Sequence, residues 1–505
     1  MLCGLSFVVV VLATSAAASD SPNIVIMLMD DMGWGDLGSN GEPSRETPHL
    51  DQLAREGLTA TSMYTAAPLC SPSRAALLTG RLPIRNGFYS NNTHGRNAYT
   101  PQNIVGGISA SEVLLPELLK TRGYTSGLIG KWHLGHRTPY LPLERGFDYW
   151  FGSPNCHFGP YSDVTTPNIP VFRNASMIGR YYKDFAIDRA TGVSNMTKMF
   201  TEEAVAFIQR QAREGPFFLL WAPDATHAPT YASLKFHGTS RRGRYGDAVR
   251  ELDAGVGAIV NALRDANVDN NTLVVFTSDN GAALVSKEEG GSNGPFLCGK
   301  QTTFEGGMRA PGIFWWPGVI APGSVTHQVW SQMDLFSTAL QLAGITPPHD
   351  REMDGLPLAA SLFHPDHEFF RPIFLYRGDR LMAVRQGSYK MHVWTWSTPT
   401  DELRRGINFC PGSEVANVTT PQPTDHSIAP VLFNVVVDPG ERYPISTWAM
   451  RCNSMFAHRA KLRRGEPQLN WCDPAVMHWA PPGCEELGEC LKVPASNPTL
   501  CNWPH

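Results

Sequence analysis

Over its first two thirds the chain alternates short, wholly apolar runs with amphipathic helical stretches, and this alternation restricts the fold more than any other feature. Ile24–Met29, Ser126–Ile129, Phe217–Trp221, Leu273–Phe276 and Ile313–Trp316 read as strands. Leu115–Arg122, Phe200–Arg213, Ala248–Ala266 and the stretch near Leu335–Leu342 have helical periodicity, and the turn residues Asp269-Asn270-Asn271 close the third of these. Strands with no polar alternate are buried on both faces, and strands separated by helices are joined by crossovers. The expected architecture is therefore α/β, a mostly parallel sheet covered by helices on both sides. With 505 residues, 42% hydrophobic and 17% charged, the chain can bury a large core and should form more than one domain.

After about residue 370 the texture changes. Leu381–Arg385 and Tyr389–Trp396, joined through Gln386-Gly387-Ser388, read as a hairpin, and Val431–Val437 as a strand ahead of Asp438-Pro439-Gly440. A small antiparallel domain is expected over 371–471, following a catalytic α/β domain over 20–370. From Cys472 to 505 the chain is rich in Pro and Cys with little periodicity, a stapled tail in which Cys484 and Cys490 are spaced for a local clip. Residues 1–19 contain the apolar run Phe7–Ala13 followed by Ala16-Ala17-Ala18-Ser19, which reads as a cleaved secretory signal. That run is too short to cross a bilayer, and no later segment is long enough. Five sequons, at Asn91, Asn174, Asn195, Asn270 and Asn417, agree with a secretory route. No basic run or aromatic-basic interleaving points to nucleic acid. Sixteen histidines would, if all protonated, lift the formal charge from −4 to +12, so an acidic compartment would favour a polyanionic substrate.

The candidate chemistry sits just past the strands. Asp30-Asp31 follows the first strand directly, and Asp279-Asn280-Gly281 follows Leu273–Ser278. Ligands of open α/β sheets gather beyond the carboxyl ends of strands, so the two acidic pairs can share one crevice. Each pair alone reads more readily as a turn or a helix cap; together with Cys70 the two read as metal ligands. Four oxygen donors with no sulfur or imidazole suit a hard cation, Ca²⁺ first and Mg²⁺ second. Gly130-Lys131-Trp132-His133-Leu134-Gly135 and Asp224-Ala225-Thr226-His227-Ala228-Pro229 follow two further strands, and Lys300 lies in the loop that begins at Cys298-Gly299. The remaining element is Cys70-Ser71-Pro72-Ser73-Arg74, continuing as Ala75-Ala76-Leu77-Leu78-Thr79-Gly80-Arg81. Pro72 fits a first helical turn and the next residues are strong helix formers, so Cys70 stands at a helix N-terminus, where free N–H groups and Arg74 attract anions. A buried structural cysteine ahead of an ordinary helix is the competing reading.

That run resembles the signature of the sulfatase family, and the segments around it match the family along nearly the whole chain. The resemblance implies a fold like that of sulfatases and alkaline phosphatase, a mixed sheet sandwiched by helices with a smaller C-terminal antiparallel domain. It implies that Cys70 is oxidised to formylglycine by the formylglycine-generating enzyme during secretion, giving a hydrated aldehyde. One hydroxyl of the hydrate attacks sulfur; the other later loses its proton and expels sulfate. It further implies that Asp30, Asp31, Asp279 and Asn280 hold one Ca²⁺ together with residue 70. Arg74, Lys131, His133, His227 and Lys300 would surround the aldehyde and sulfate, with one imidazole protonating the leaving alcohol. Disulfides Cys298–Cys410 and Cys472–Cys501 are implied as well, leaving Cys156 and Cys452 unpaired. One departure is Ala310, where many relatives carry an acid.

Long stretches such as Leu82–Tyr89, Arg96–Pro101, Ser153–Tyr161 and Trp479–Cys484 resemble one branch of the family. Its members are lysosomal exohydrolases of sulfated glycosaminoglycans, removing 6-sulfate from terminal N-acetylgalactosamine of chondroitin 6-sulfate and terminal galactose of keratan sulfate. By this resemblance Tyr99 lies near the sugar pocket and the assembly is a homodimer. The rival readings are an arylsulfatase-like hydrolase of 4-sulfated sugars or sulfolipids, and a non-catalytic glycosaminoglycan-binding glycoprotein with unconverted Cys70.

Overall fold

The computed structural model describes residues 21–92, 102–158, 169–412, 414–445 and 453–502. The expected signal segment, Tyr99 and Cys452 lie outside them. The parallel centre of the main sheet consists of β1 (Asn23–Met29), β3 (Thr125–Lys131), β4 (Tyr149–Ser153), β7 (Phe217–Ala222) and β8 (Thr272–Ser278), in the spatial order β8, β1, β7, β3, β4. β5 (Pro170–Arg173) and β6 (Ser176–Arg180) continue it antiparallel beyond β4. On the other side β10 (Gly312–Trp315) runs antiparallel to both β8 and β2 (Leu58–Tyr64). β9 (Arg309–Ala310) and β11 (Ser324–Ser331) also pair with β2, giving 11 strands. The sheet is therefore mixed, because Ile313–Trp316 enters after a short return and not through a helical crossover.

The wholly apolar strands are explained by two cores. Ile24, Ile26 and Leu28 of β1 pack on one face with α2 (Cys70–Thr79), α3 (Leu115–Lys120) and α6 (Met333–Leu342). Val25, Met27 and Met29 pack on the other with α1 (Pro48–Glu56), α4 (Met196–Gln211) and α5 (Gly243–Asp265). Successive side chains of a strand point to opposite faces, so burial on both removes the polar alternate.

The C-terminal sheet is antiparallel, in the order β12 (Pro372–Arg377), β13 (Arg380–Gln386), β14 (Tyr389–His392) and β15 (Val431–Asn434). The expected second hairpin strand stops at His392, since Val393 turns back to bond Met382 and Trp394–Thr395 pairs elsewhere. Val384, Met391 and Leu432 pack against Ala76, Ile84 and Met333, so this sheet braces the Cys70 helix. The tail carries Cys484–Cys490 and Cys472–Cys501, and Cys298–Cys410 ties the two sheets' loops together. Leu469, Cys472, Cys484 and Cys501 belong to the main core, and Trp479 stacks on Phe172 of β5. The tail is thus a strap over the main sheet. All five sequon asparagines are exposed. Among the described residues no helix is long and apolar enough to cross a membrane.

Candidate active site

Parallel strands deliver their carboxyl ends to one edge, and the candidate residues meet there. β1 ends at Asp30-Asp31, β8 at Asp279-Asn280, β3 at Lys131 with His133 two residues on, and β7 leads into Asp224 and His227. Cys70 is the first residue of α2, whose ten residues are all buried. Close packing sets the local backbone. Gly130 has φ 117°, and a Cβ there would stand 2.1 Å from the Ala222 carbonyl oxygen. Gly80 ends α2 in the left-handed region, where a side chain would strike Phe336. Asp31 and His133 have φ of 63° and 67°, in the left-handed region that is uncommon for residues with a side chain.

The Cys70 sulfur lies 3.2 Å from Asp30 Oδ1 and 3.9 Å from Asp31 Oδ1. Each carboxylate has a cation behind it. Arg74 donates from Nε and Nη2 to Asp279 Oδ2 at 2.9 and 2.8 Å. Lys131 Nζ donates to Asp30 Oδ2 at 2.7 Å, and Lys300 Nζ to Asp31 Oδ2 at 2.8 Å. His227 gives Nδ1 to the Ala228 carbonyl at 2.7 Å, which leaves Nε2 facing Asp31 Oδ2 at 3.6 Å. Asn280 donates to Asp31 Oδ1 at 2.7 Å, while its own Oδ1 is buried with no partner.

Charge and burial set the protonation of these groups. Burial raises the Asp30 carboxyl, but Lys131, His227, Arg74 and Lys300 together hold it well below the usual range. Burial and the neighbouring Asp30 push Asp279 up to about 6. The Cys70 thiol is driven well above its ordinary value by burial and by Asp279 and Asp30. Burial, with Lys131 and Arg74 beside it, keeps His133 neutral, and its Nδ1 has no partner. For His227 burial is outweighed by Cys156, Asp31 and Asp30, which raise it.

The donor set fits a hard cation. Oxygens of Asp30, Asp31 and Asp279 and the Cys70 sulfur all lie within 4.8 Å of one another. Ligands at a Ca²⁺–oxygen distance of about 2.4 Å stand at most about 4.8 Å apart across the ion. The unpartnered Asn280 oxygen adds a neutral acceptor of the same kind.

Nine of the sequence-predicted site residues converge: Cys70, the four expected metal ligands Asp30, Asp31, Asp279 and Asn280, and Lys131, Lys300, Arg74 and His227 around them. His133 stands close enough to feel their charges, and Tyr99 lies outside the described residues. A buried layer beneath His227 was not anticipated. Cys156 Sγ is 3.9 Å from Asp30 Oδ2, and His157 pairs with Asp224 at 2.8 Å. Burial raises the Cys156 thiol, but His227, Lys131 and His157 bring it down to about 6. The available signal was positional, since Cys156-His157 follows β4 just as the other site residues follow their strands.

Fold and site together define a hydrolase with an oxygen-rich cation pocket beside a residue at a helix N-terminus. The chain belongs to the sulfatase family: residues 22–345 match the sulfatase profile and 366–492 the C-terminal region of aryl-sulfatase. It is 59% identical to mouse (Mus musculus) N-acetylgalactosamine-6-sulfatase, over 97% of this chain and 96% of that one. It is 38% identical to human (Homo sapiens) arylsulfatase A, over 96% and 97% of the two chains. Among solved structures, the PsFucS1 sulfatase from Pseudoalteromonas sp. superposes with a TM-score of 0.75 at 30% identity, covering 88% of this chain and 92% of that one.

Proposed function

We propose that the protein is a lysosomal exosulfatase, hydrolysing the 6-sulfate esters of terminal N-acetylgalactosamine 6-sulfate in chondroitin 6-sulfate and of terminal galactose 6-sulfate in keratan sulfate. The observation that carries the chemistry is the Cys70 sulfur 3.2 Å from Asp30, at a helix N-terminus and inside a ring of three carboxylates each backed by a cation. The substrate assignment is supported by the 59% identity to N-acetylgalactosamine-6-sulfatase over nearly the whole chain. In this reading Cys70 is converted to formylglycine by the formylglycine-generating enzyme, and the protein works as a homodimer.

Asp30, Asp31, Asp279 and Asn280 would hold Ca²⁺, which would supply fixed positive charge next to the sulfate. Formylglycine supplies a hydrated aldehyde, a nucleophile whose second hydroxyl releases the sulfate and restores the aldehyde. The chain's own residues do the rest. Arg74, Lys131 and Lys300 cancel the three carboxylates, so the pocket accepts both a dication and an anionic ester without a large charge imbalance. The same cations, held by strand ends, stabilise charge that grows on the sulfate oxygens. His227 Nε2, with Nδ1 committed to Ala228, donates a proton to the leaving sugar oxygen. His133, kept neutral, serves as a proton acceptor, and Tyr99 contacts the sugar.

The test is sulfate release at acidic pH from terminal 6-sulfated and 4-sulfated N-acetylgalactosamine oligosaccharides, side by side, with Cys70→Ala as control. Release from the 6-ester alone is the expected result. Release from the 4-ester alone keeps the sulfatase and overturns the substrate. A Cys70 peptide that retains its thiol in all secreted protein overturns the catalytic reading.

A further inference from the structure

One buried ring holds both ends of the segment that carries His227. His157 is 0% exposed. Its Nδ1 lies 2.8 Å from Asp224 Oδ2 and its Nε2 2.9 Å from the Pro229 carbonyl oxygen. A carbonyl oxygen only accepts, so Nε2 carries a proton. The Asp224 carboxylate also accepts the Tyr231 hydroxyl at 2.7 Å and the His157 backbone N–H at 3.2 Å. Such donors favour the ionised carboxylate, which in turn requires a proton on Nδ1. The ring is therefore an imidazolium with two donors and Asp224 as its counter-ion. Its other neighbours are Cys156 Sγ, 3.9 Å from Nδ1, and the rings of Tyr231 and His227, at 4.9 and 6.0 Å. Between the two held ends, Thr226 donates to the Asp30 carbonyl at 2.7 Å and His227 to Ala228, so the segment has little freedom to place His227 elsewhere.

We propose that His157 is a positioning residue for the sulfatase reaction: by clasping Asp224 and Pro229 it sets where His227 Nε2 stands beside the reacting ester. The inference rests on the role given to His227 above. It makes proton delivery to the leaving group, and not substrate binding, the quantity that His157 controls.

The amide nitrogen of Asn matches imidazole Nδ1 and that of Gln matches Nε2. His157→Asn therefore keeps the bond to Asp224, and His157→Gln the bond to Pro229. Both variants of the full-length secreted enzyme are assayed on a terminal 6-sulfated sugar and on 4-nitrophenyl sulfate, whose phenolate leaves without a proton. The expected result is a fall in kcat of about 100-fold on the sugar ester with KM little changed, and a much smaller fall on the aryl ester. Equal losses on both esters in folded variants, or unchanged kcat, overturn the inference while leaving the sulfatase intact. A wild type inactive on both esters overturns the functional reading and the inference with it. Should neither variant fold, Tyr231→Phe removes only the hydroxyl that anchors Asp224 and must show the same split at smaller amplitude. Its absence there overturns the proposal equally.

Discussion

Cys70 is the residue on which the proposed chemistry turns, and its surroundings separate folding from turnover. Cys70→Ser keeps a small side chain at a fully buried helix start. Such a variant should fold and bind substrate normally while losing repeated turnover by about 10³-fold or more, because a serine ester has no second hydroxyl to expel sulfate. Multiple turnovers per enzyme in a product time course would contradict the hydrate mechanism. Asp279→Ala behaves differently. Arg74 is 2% exposed and donates twice to Asp279, so the variant leaves a buried guanidinium without its main partner. Loss of about 3–5 kcal/mol in chemical unfolding is expected, together with loss of bound metal. Stoichiometric metal in that variant would remove Asp279 from the ligand set. The sequence made these residues legible because each directly follows a strand or opens a helix. His157 and Asp224 were not singled out, since their work is done through each other and through a backbone carbonyl, which no spacing in the chain announces.

At the level of elements, the C-terminal sheet does more than complete the outline. Lys390 of β14 is fully buried between Glu305 and Glu441, at 3.1 and 3.0 Å, and Glu441 also takes His392 at 2.6 Å and the Glu305 backbone N–H at 2.7 Å. Glu305, held down to about 2 by Lys390 with Arg309 and Arg385 against the effect of burial, starts the short helix just after the Lys300 loop. The Cys298–Cys410 bridge pins the same loop from its other end. Lys390→Met should therefore cost about 3–5 kcal/mol in chemical unfolding, because it removes the ammonium that lies between two buried carboxylates and leaves Glu305 with Arg309 and Glu441 with His392 as their remaining ion partners. It should also weaken sulfate-ester turnover by displacing Lys300. A variant with wild-type stability would show that the network is not what joins the two sheets. The central strands and long helices were readable from apolar period. So were the hairpin of β13 and β14 and the strand β15. The outer strands β2, β5, β6, β9 and β11, the antiparallel direction of β10 and the pairing of Trp394–Thr395 were not, because their partners are set by packing between distant segments.

For the whole molecule, the sequence suggested that acid would turn the surface strongly cationic. The fold limits this, because several histidines are interior. Burial holds His133 and His392 below the ordinary value, and His136 and His458 down to about 4. A depressed histidine gives stability that is present above about 6.5 and is lost as pH falls toward its folded value, since the unfolded chain takes up the proton first. Asp253 acts in the opposite sense. Burial raises it to about 7, against the N–H groups of Leu50 and His49 that it caps and with Asp51 adding repulsion. A raised carboxyl gives stability that is fully present below about 4 and is lost as pH rises through about 7, on the order of 4 kcal/mol across that window. The two trends oppose each other between about pH 4 and 7, so the thermal midpoint at fixed calcium should pass through a maximum in mildly acidic solution. Asp253→Asn removes the titrating group but keeps an amide oxygen for one of the two N–H donors. Its midpoint should be slightly lower than wild type at pH 4–5 and should then fall less between pH 5 and 8. Parallel curves for the two proteins over that range would show that Asp253 does not govern the alkaline limb, and would shift the search to other raised buried carboxyls such as Asp36, Asp334 and Asp354.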